Sequence, residues 1–130
     1  MTDKSEKTHK TDKTNLIGRY ALPRAGKRIR IFIGEAEEWQ GKPLYRAILE
    51  LAQRQGVAGA TVTRGIEGFG PEHHLSSDRL PDIADNLPLI VEIVESVEKV
   101  EELLPLLDRM VQRGMITIAP VEIVYTGEAL

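Results

Sequence analysis

The alternation of basic and apolar residues in KRIRIFI, Lys27 to Ile33, predicts a first strand. Ile29, Ile31 and Ile33 fall on one face and Arg28, Arg30 and Phe32 on the other. Gly34 ends the strand. Gly41 and Lys42 then lead to Pro43, whose fixed φ and missing N–H suit the first position of a helix running to about Gln55. Within it Leu44, Ala47, Ile48, Leu51 and Ala52 recur at helical spacing, and Gly56 is the expected left-handed stop. Val57 to Arg64 is rich in β-branched residues, and Leu87 to Glu95 is an apolar run too short for a typical helix, so both read as strands. Ser96 follows as an N-cap, with a helix that carries Val97, Val100, Leu104, Leu107 and Val111 inward and a kink expected at Pro105. Gly114 closes that helix, and Ile116 to Tyr125 gives a last strand in which Pro120 marks an edge or a bulge.

The order is therefore β-α-β-β-α-β, the split motif of an α+β, ferredoxin-like domain: a four-stranded antiparallel sheet with two helices on one face. The domain is assigned to residues 27–130. Residues 1–26 read as a disordered or loosely packed N-terminal tail, because MTDKSEKTHKTDKTN has no apolar residue after Met1 with which to offset chain entropy. Val62, Ile90, Val91, Ile93 and Val94 put apolar side chains on both faces of the sheet, more than one covered face requires. Self-association is the expectation.

Composition narrows the function classes. A chain of 130 residues with 42% hydrophobic and 28% charged residues suits one globular core. A net charge of -3 offers no counterion-release attraction for nucleic acid, and the third strand has no aromatic residues for stacking bases. The absence of cysteine excludes disulfides, thiolate metal sites and cysteine nucleophiles. No apolar run approaches the roughly 18 residues of a membrane span, and no signal-peptide core is present, so a soluble cytoplasmic protein is expected, not one embedded in a membrane.

The segment from Gly65 to Asn86 does not fit the regular elements. A connection of this length in a small domain is usually functional, unless the two flanking strands continue as a protruding hairpin stem. At its base Gly65, Gly68 and Gly70 let the backbone approach a ligand, and Arg64 can pair with an anion. The simpler alternative is a flexible turn. His73 and His74 are adjacent, so on an extended chain they point opposite ways and read better as exposed histidines than as ligands of one metal. Arg28 and Arg30 read as a solvated or salt-bridged strand face. The series Glu92, Glu95, Glu98, Glu101 and Glu102 is mostly a solvated helix face, and Trp39 and Tyr45 pack near the first helix. There is no Ser-His-Asp arrangement, Walker loop or spaced carboxylate pair, so catalysis is not expected.

The stretch VAGATVTRGIEGFG resembles the second strand and loop entrance of PII signalling proteins, with their T-V-T followed by G-F-G. NLPLIVEIV resembles the third strand of that family, and RMVQRGMI the end of its second helix. The combination of IFIGEAEEWQGKPLYRAILELA, GATVTRGIEGFG and LPLIVEIVE is similar to the PII-like family called domain of unknown function 190, over residues 27 to 125. The resemblance implies a homotrimer with sheets facing inward, projecting loops, and small ligands, often adenine nucleotides, in clefts between subunits. By position it implies ligand contacts for Thr61, Gly68 and Gly70, and a membrane transporter as the class of regulated partner. Departures are visible too. The family's later glycine-rich loop carries a phosphate-gripping lysine, whereas Gly114 here is followed by Met115, and Pro71 and Glu72 replace an arginine and a glutamine.

The leading expectation is a trimeric regulatory protein, not an enzyme. It binds a small anionic ligand near Thr61, Arg64, Gly65, Gly68 and Gly70 and signals through loop 65–86. The alternative is a trimeric metal-tolerance protein of the same fold, using His73 or His74 from separate subunits. An acylphosphatase-like hydrolase is disfavoured because GEAEEWQGK is acidic where a phosphate would sit.

Overall fold

The alternation in the first strand becomes the centre of the molecule. In the computed structural model, which describes residues 24–79 and 86–124, β1 spans Arg24–Gly34. It is flanked on one side by β7 (Pro88–Ser96) and on the other by β8 (Met115–Ile123), while β4 (Ala60–Arg64) lies beyond β7. All three pairings are antiparallel. Among the described residues two helices complete the α+β fold, α1 (Leu44–Arg54) and α2 (Val97–Met110). Two-residue hairpins are added by β2 (Glu38–Trp39) with β3 (Lys42–Pro43), and by β5 (Glu67–Gly68) with β6 (Ser76–Ser77).

The core forms where the inward residues of the sheet meet the apolar stripes of the helices. Ile29, Ile31 and Ile33 pack with Leu89, Val91 and Ile93 against Leu44, Ile48, Leu51, Val100, Leu103 and Leu107 in one buried cluster. Each such side chain contributes about 2 kcal/mol of transfer free energy, which makes this interlock the main source of stability. The expected stripe on α1 is buried in full. On α2 the buried residues are Val100, Leu103, Leu107 and Met110, not the expected set, and Val97, Leu104 and Val111 are half-buried. The two descriptions share Val100 and Leu107. From there a helix of 3.6 residues per turn carries the core-facing stripe through positions 103 and 110.

Several boundaries differ from the sequence expectation. Residues 24–26, assigned to the tail, belong to β1; residues 1–23 lie outside the described residues. Gly26 reads locally as a breaker, yet a Cβ there would sit 2.8 Å from the Glu95 carbonyl oxygen, so the glycine lets the strand pass close to its neighbour. Pro43 is the N-cap residue of α1, with ψ at 135°, one position ahead of its expected place. Gly56 has the expected positive φ of 76°. Residues 57–59 precede β4 as an irregular connection. Ser96 caps α2 by accepting a 3.2 Å hydrogen bond from the Lys99 N–H. Pro120 pairs with Lys27 in unbroken register on the outer strand β8, so its place is an edge and not a bulge.

Among the described residues the other face of the sheet carries no helix. Arg28, Arg30, Phe32, Ile90, Glu92, Val94, Thr61 and Thr63 alternate with the buried positions and project there. One rung crosses all four strands as Thr61, Glu92, Arg30 and Thr117. At its centre the Arg30 Nε donates to Glu92 Oε1 at 3.0 Å, each side chain about two-fifths exposed, with Phe32, Ile90 and Val94 alongside.

Candidate functional site

Antiparallel pairing brings the end of β1, the end of β4, the start of β7 and the start of β8 to one edge of the sheet. Everything joining those ends must therefore meet there. The meeting encloses a cleft of about 640 Å³, within the usual range for small-molecule sites. Its floor is apolar: Phe32, Ile33, Pro88, Leu89 and Met115. Its walls are formed by Gly68 to His74, and by Arg113 with Gly114 in the turn after α2.

The long connection that forms one wall is not a structureless loop. The β5–β6 pairing folds it into a small hairpin, secured by the Asp78 N–H donating to the Ile66 carbonyl at 2.9 Å. Ser76 and Ser77, which form β6, are buried. The hairpin is a sheet separate from β4 and β7, so the flanking strands do not simply continue as a stem. Residues 80–85 lie outside the described residues. The hairpin tip exposes Phe69 and Leu75, at 63% and 45%.

His73 is not extended. Its φ of 60° and a 2.8 Å bond from its N–H to the Gly70 carbonyl make a turn, which stacks its ring on Phe69 at 5.6 Å. With the chain turned, His73 and His74 both line the cleft, against the extended-chain expectation. Among the described residues no cluster of three or more potential metal-ligating side chains forms.

The five expected ligand-contact residues divide. Gly68 and Gly70 line the cleft. Gly65 lies beneath it, donating its N–H to the Pro88 carbonyl at 2.7 Å, and a Cβ at this position would press on Pro88 at 2.9 Å. Arg64 turns to Glu35, donating from Nη2 to Oε2 at 2.6 Å with its side chain 58% exposed. Thr61 stands on the uncovered sheet face, in the rung with Glu92.

Two of the cleft residues outside the expected contact set face each other: the Arg113 guanidinium is ion-paired with the Glu72 carboxylate across the opening. Both side chains are about three-fifths exposed, so this pair is weak and exchangeable, worth about 0–1 kcal/mol. Arg113 could have been found by noting that β8 begins beside the end of β1. Gly114 is fixed by close approach as well, because at its φ of 117° a Cβ would lie 2.1 Å from the Phe32 carbonyl oxygen. Opposite, Asn86 Oδ1 accepts the Ala36 N–H at 2.8 Å and fills the space a side chain at Gly34 would need. The result is a largely apolar slot whose charged lining is Glu37, Glu72 and one mobilisable cation, Arg113. Such a slot can take a flat ligand that makes its ionic contact at Arg113. Among the described residues of its lining, no nucleophile is hydrogen-bonded to a base.

The DUF190 family model, described as Uncharacterized ACR, matches residues 26–123. A UPF0166 protein of Aquifex aeolicus is 37% identical over 99 residues, covering 76% of this chain and 93% of that one. A UPF0166 protein of Methanocaldococcus jannaschii is 32% identical over 103 residues, covering 78% and 94%. Among solved structures, the nitrogen regulatory PII-like protein CPII from Thiomonas intermedia K12, bound to ADP, AMP and bicarbonate, superposes with a TM-score of 0.60 at 18% identity, covering 78% of this chain and 90% of that chain. A putative PII-like signaling protein from Thermus thermophilus gives 0.58 at 19% identity, covering 79% and 93%. The ferredoxin-like, PII-like fold is thereby established.

Proposed function

Because the chain belongs to the DUF190 family, with a PII-like fold, we propose that it is a non-enzymatic, PII-like regulatory protein that senses a small anionic ligand. The observation that carries this reading is the 640 Å³ cleft whose wall is a projecting hairpin and whose mouth holds Arg113. An adenine nucleotide is the leading ligand class. The apolar floor around Phe32, Pro88 and Met115 accepts a base, and Arg113 accepts the phosphate. The solved relative with ADP and AMP bound supports the choice. An anion reaching Arg113 must displace Glu72, and Glu72 belongs to the hairpin tip, so binding and hairpin position are linked. The ligand then favours whichever hairpin position leaves Arg113 free.

The working unit in this proposal is a cytoplasmic homotrimer. The uncovered sheet face supports self-association, since Phe32, Ile90 and Val94 are apolar and the Arg30–Glu92 pair satisfies its own charge. No described helix is long and apolar enough to cross a membrane. A regulated partner, for which the resemblance implies a membrane transporter, would read the exposed Phe69 and Leu75 of the hairpin. Calorimetric titration of the full chain with a panel of adenine nucleotides tests the ligand. Saturable heat is expected from at least one member, and silence from all of them at millimolar concentration would exclude nucleotide sensing.

A further inference from the structure

A second cavity, of about 300 Å³, opens on the helix side of the molecule, between α1, α2 and the β2–β3 hairpin. It is independent of the cleft. Its apolar floor comes from Ala47, Leu51, Leu106 and Met110, and Trp39 forms a wall. The hairpin holds that wall rigidly: Gln40 and Gly41 have φ of 51° and 84°, the pair of positive values that closes a two-residue turn tightly. Four charged side chains line the rim, Lys42, Arg54, Arg109 and Glu50. Lys42 and Glu50 are paired at 2.6 Å, while Arg54 and Arg109 have no carboxylate partner among the described residues. The cavity thus carries an excess of positive charge on a chain whose net charge is -3. The same field acts on Glu50, whose carboxyl is held below its ordinary range, first by the hydrogen bond from Lys42 and then by the charges of Lys42, Arg46 and Arg54.

We propose that this cavity is a second ligand site, selective for a small organic anion with a flat apolar body, such as an aromatic carboxylate. The ring packs on Trp39 over the Leu51–Met110 floor, and the carboxylate is received by Arg54 and Arg109. Two arginines in place of lysines favour a planar, bidentate acceptor such as a carboxylate. The site lies on the side of the sheet that the helices cover, so packing of the uncovered sheet faces in an oligomer leaves it open.

Trp39 is the chain's single tryptophan, so its fluorescence reports on this cavity alone. The experiment titrates the full-length protein with benzoate and, separately, with inorganic phosphate, following that emission. A saturable change with benzoate is expected, at lower concentration than any response to phosphate. Affinity should fall about tenfold or more in the R54Q/R109Q double variant. Arg28→Gln, on the sheet face away from the described helices, should leave the response intact. Thermal melts confirm that the variants fold. Absence of a saturable change, a response undiminished in the double variant, or phosphate equalling benzoate would each overturn the proposal. None of these outcomes bears on nucleotide binding in the cleft.

Discussion

Glu95 Oε2 accepts a 2.8 Å hydrogen bond from the backbone N–H of Ala58, tying the end of β7 to the connection that enters β4. Its other oxygen accepts from the Ser96 N–H at 3.0 Å, and the residue is 2% exposed. A carboxylate at an inward sheet position is tolerated because both oxygens meet donors there. Removing it leaves two backbone donors without a partner. Glu95→Ala should therefore lose about 2 to 4 kcal/mol in urea unfolding, and Glu95→Gln, which keeps an acceptor, should lose clearly less.

The glycines of the cleft are not equivalent. Gly114→Ala forces a Cβ against the Phe32 carbonyl at a φ of 117°, so about 2 kcal/mol or more of stability should be lost and the cleft floor displaced. Gly70 has nothing within 4 Å of where its Cβ would be, and Gly70→Ala should change stability by about 0.5 kcal/mol or less. Paired thermal melts separate the two.

Much of the scaffold could be read from residue order. The Ile29, Ile31 and Ile33 alternation and the Leu44 to Ala52 stripe each span several periods, long enough for a repeat to identify the element. The two-residue hairpins have no period to detect. The start of β1 was hidden because Gly26 signals a break locally but serves a close strand approach in the fold. The candidate site was half legible. Gly68 and Gly70 stand in the quoted motif, whereas the Arg113–Glu72 pair joins segments brought together only by sheet topology.

Self-association through the uncovered face makes a clear prediction. Ile90 sits on that face, paired across the sheet with Phe32 and Thr63, so Ile90→Lys would bring like charges together at a symmetric interface. Sedimentation should give a trimer for the unaltered chain and a lighter species for the variant. Equal mass for both would remove that face from the interface.

The most direct measurement of the central claim is a pair of ADP titrations by calorimetry, one on Arg113→Gln and one on Glu72→Gln, each against the unaltered protein. If Arg113 receives the ligand anion and Glu72 competes for it, the first change weakens binding about tenfold or more and the second strengthens it, about two- to fivefold. Affinities that move together, or that do not move, would contradict the account.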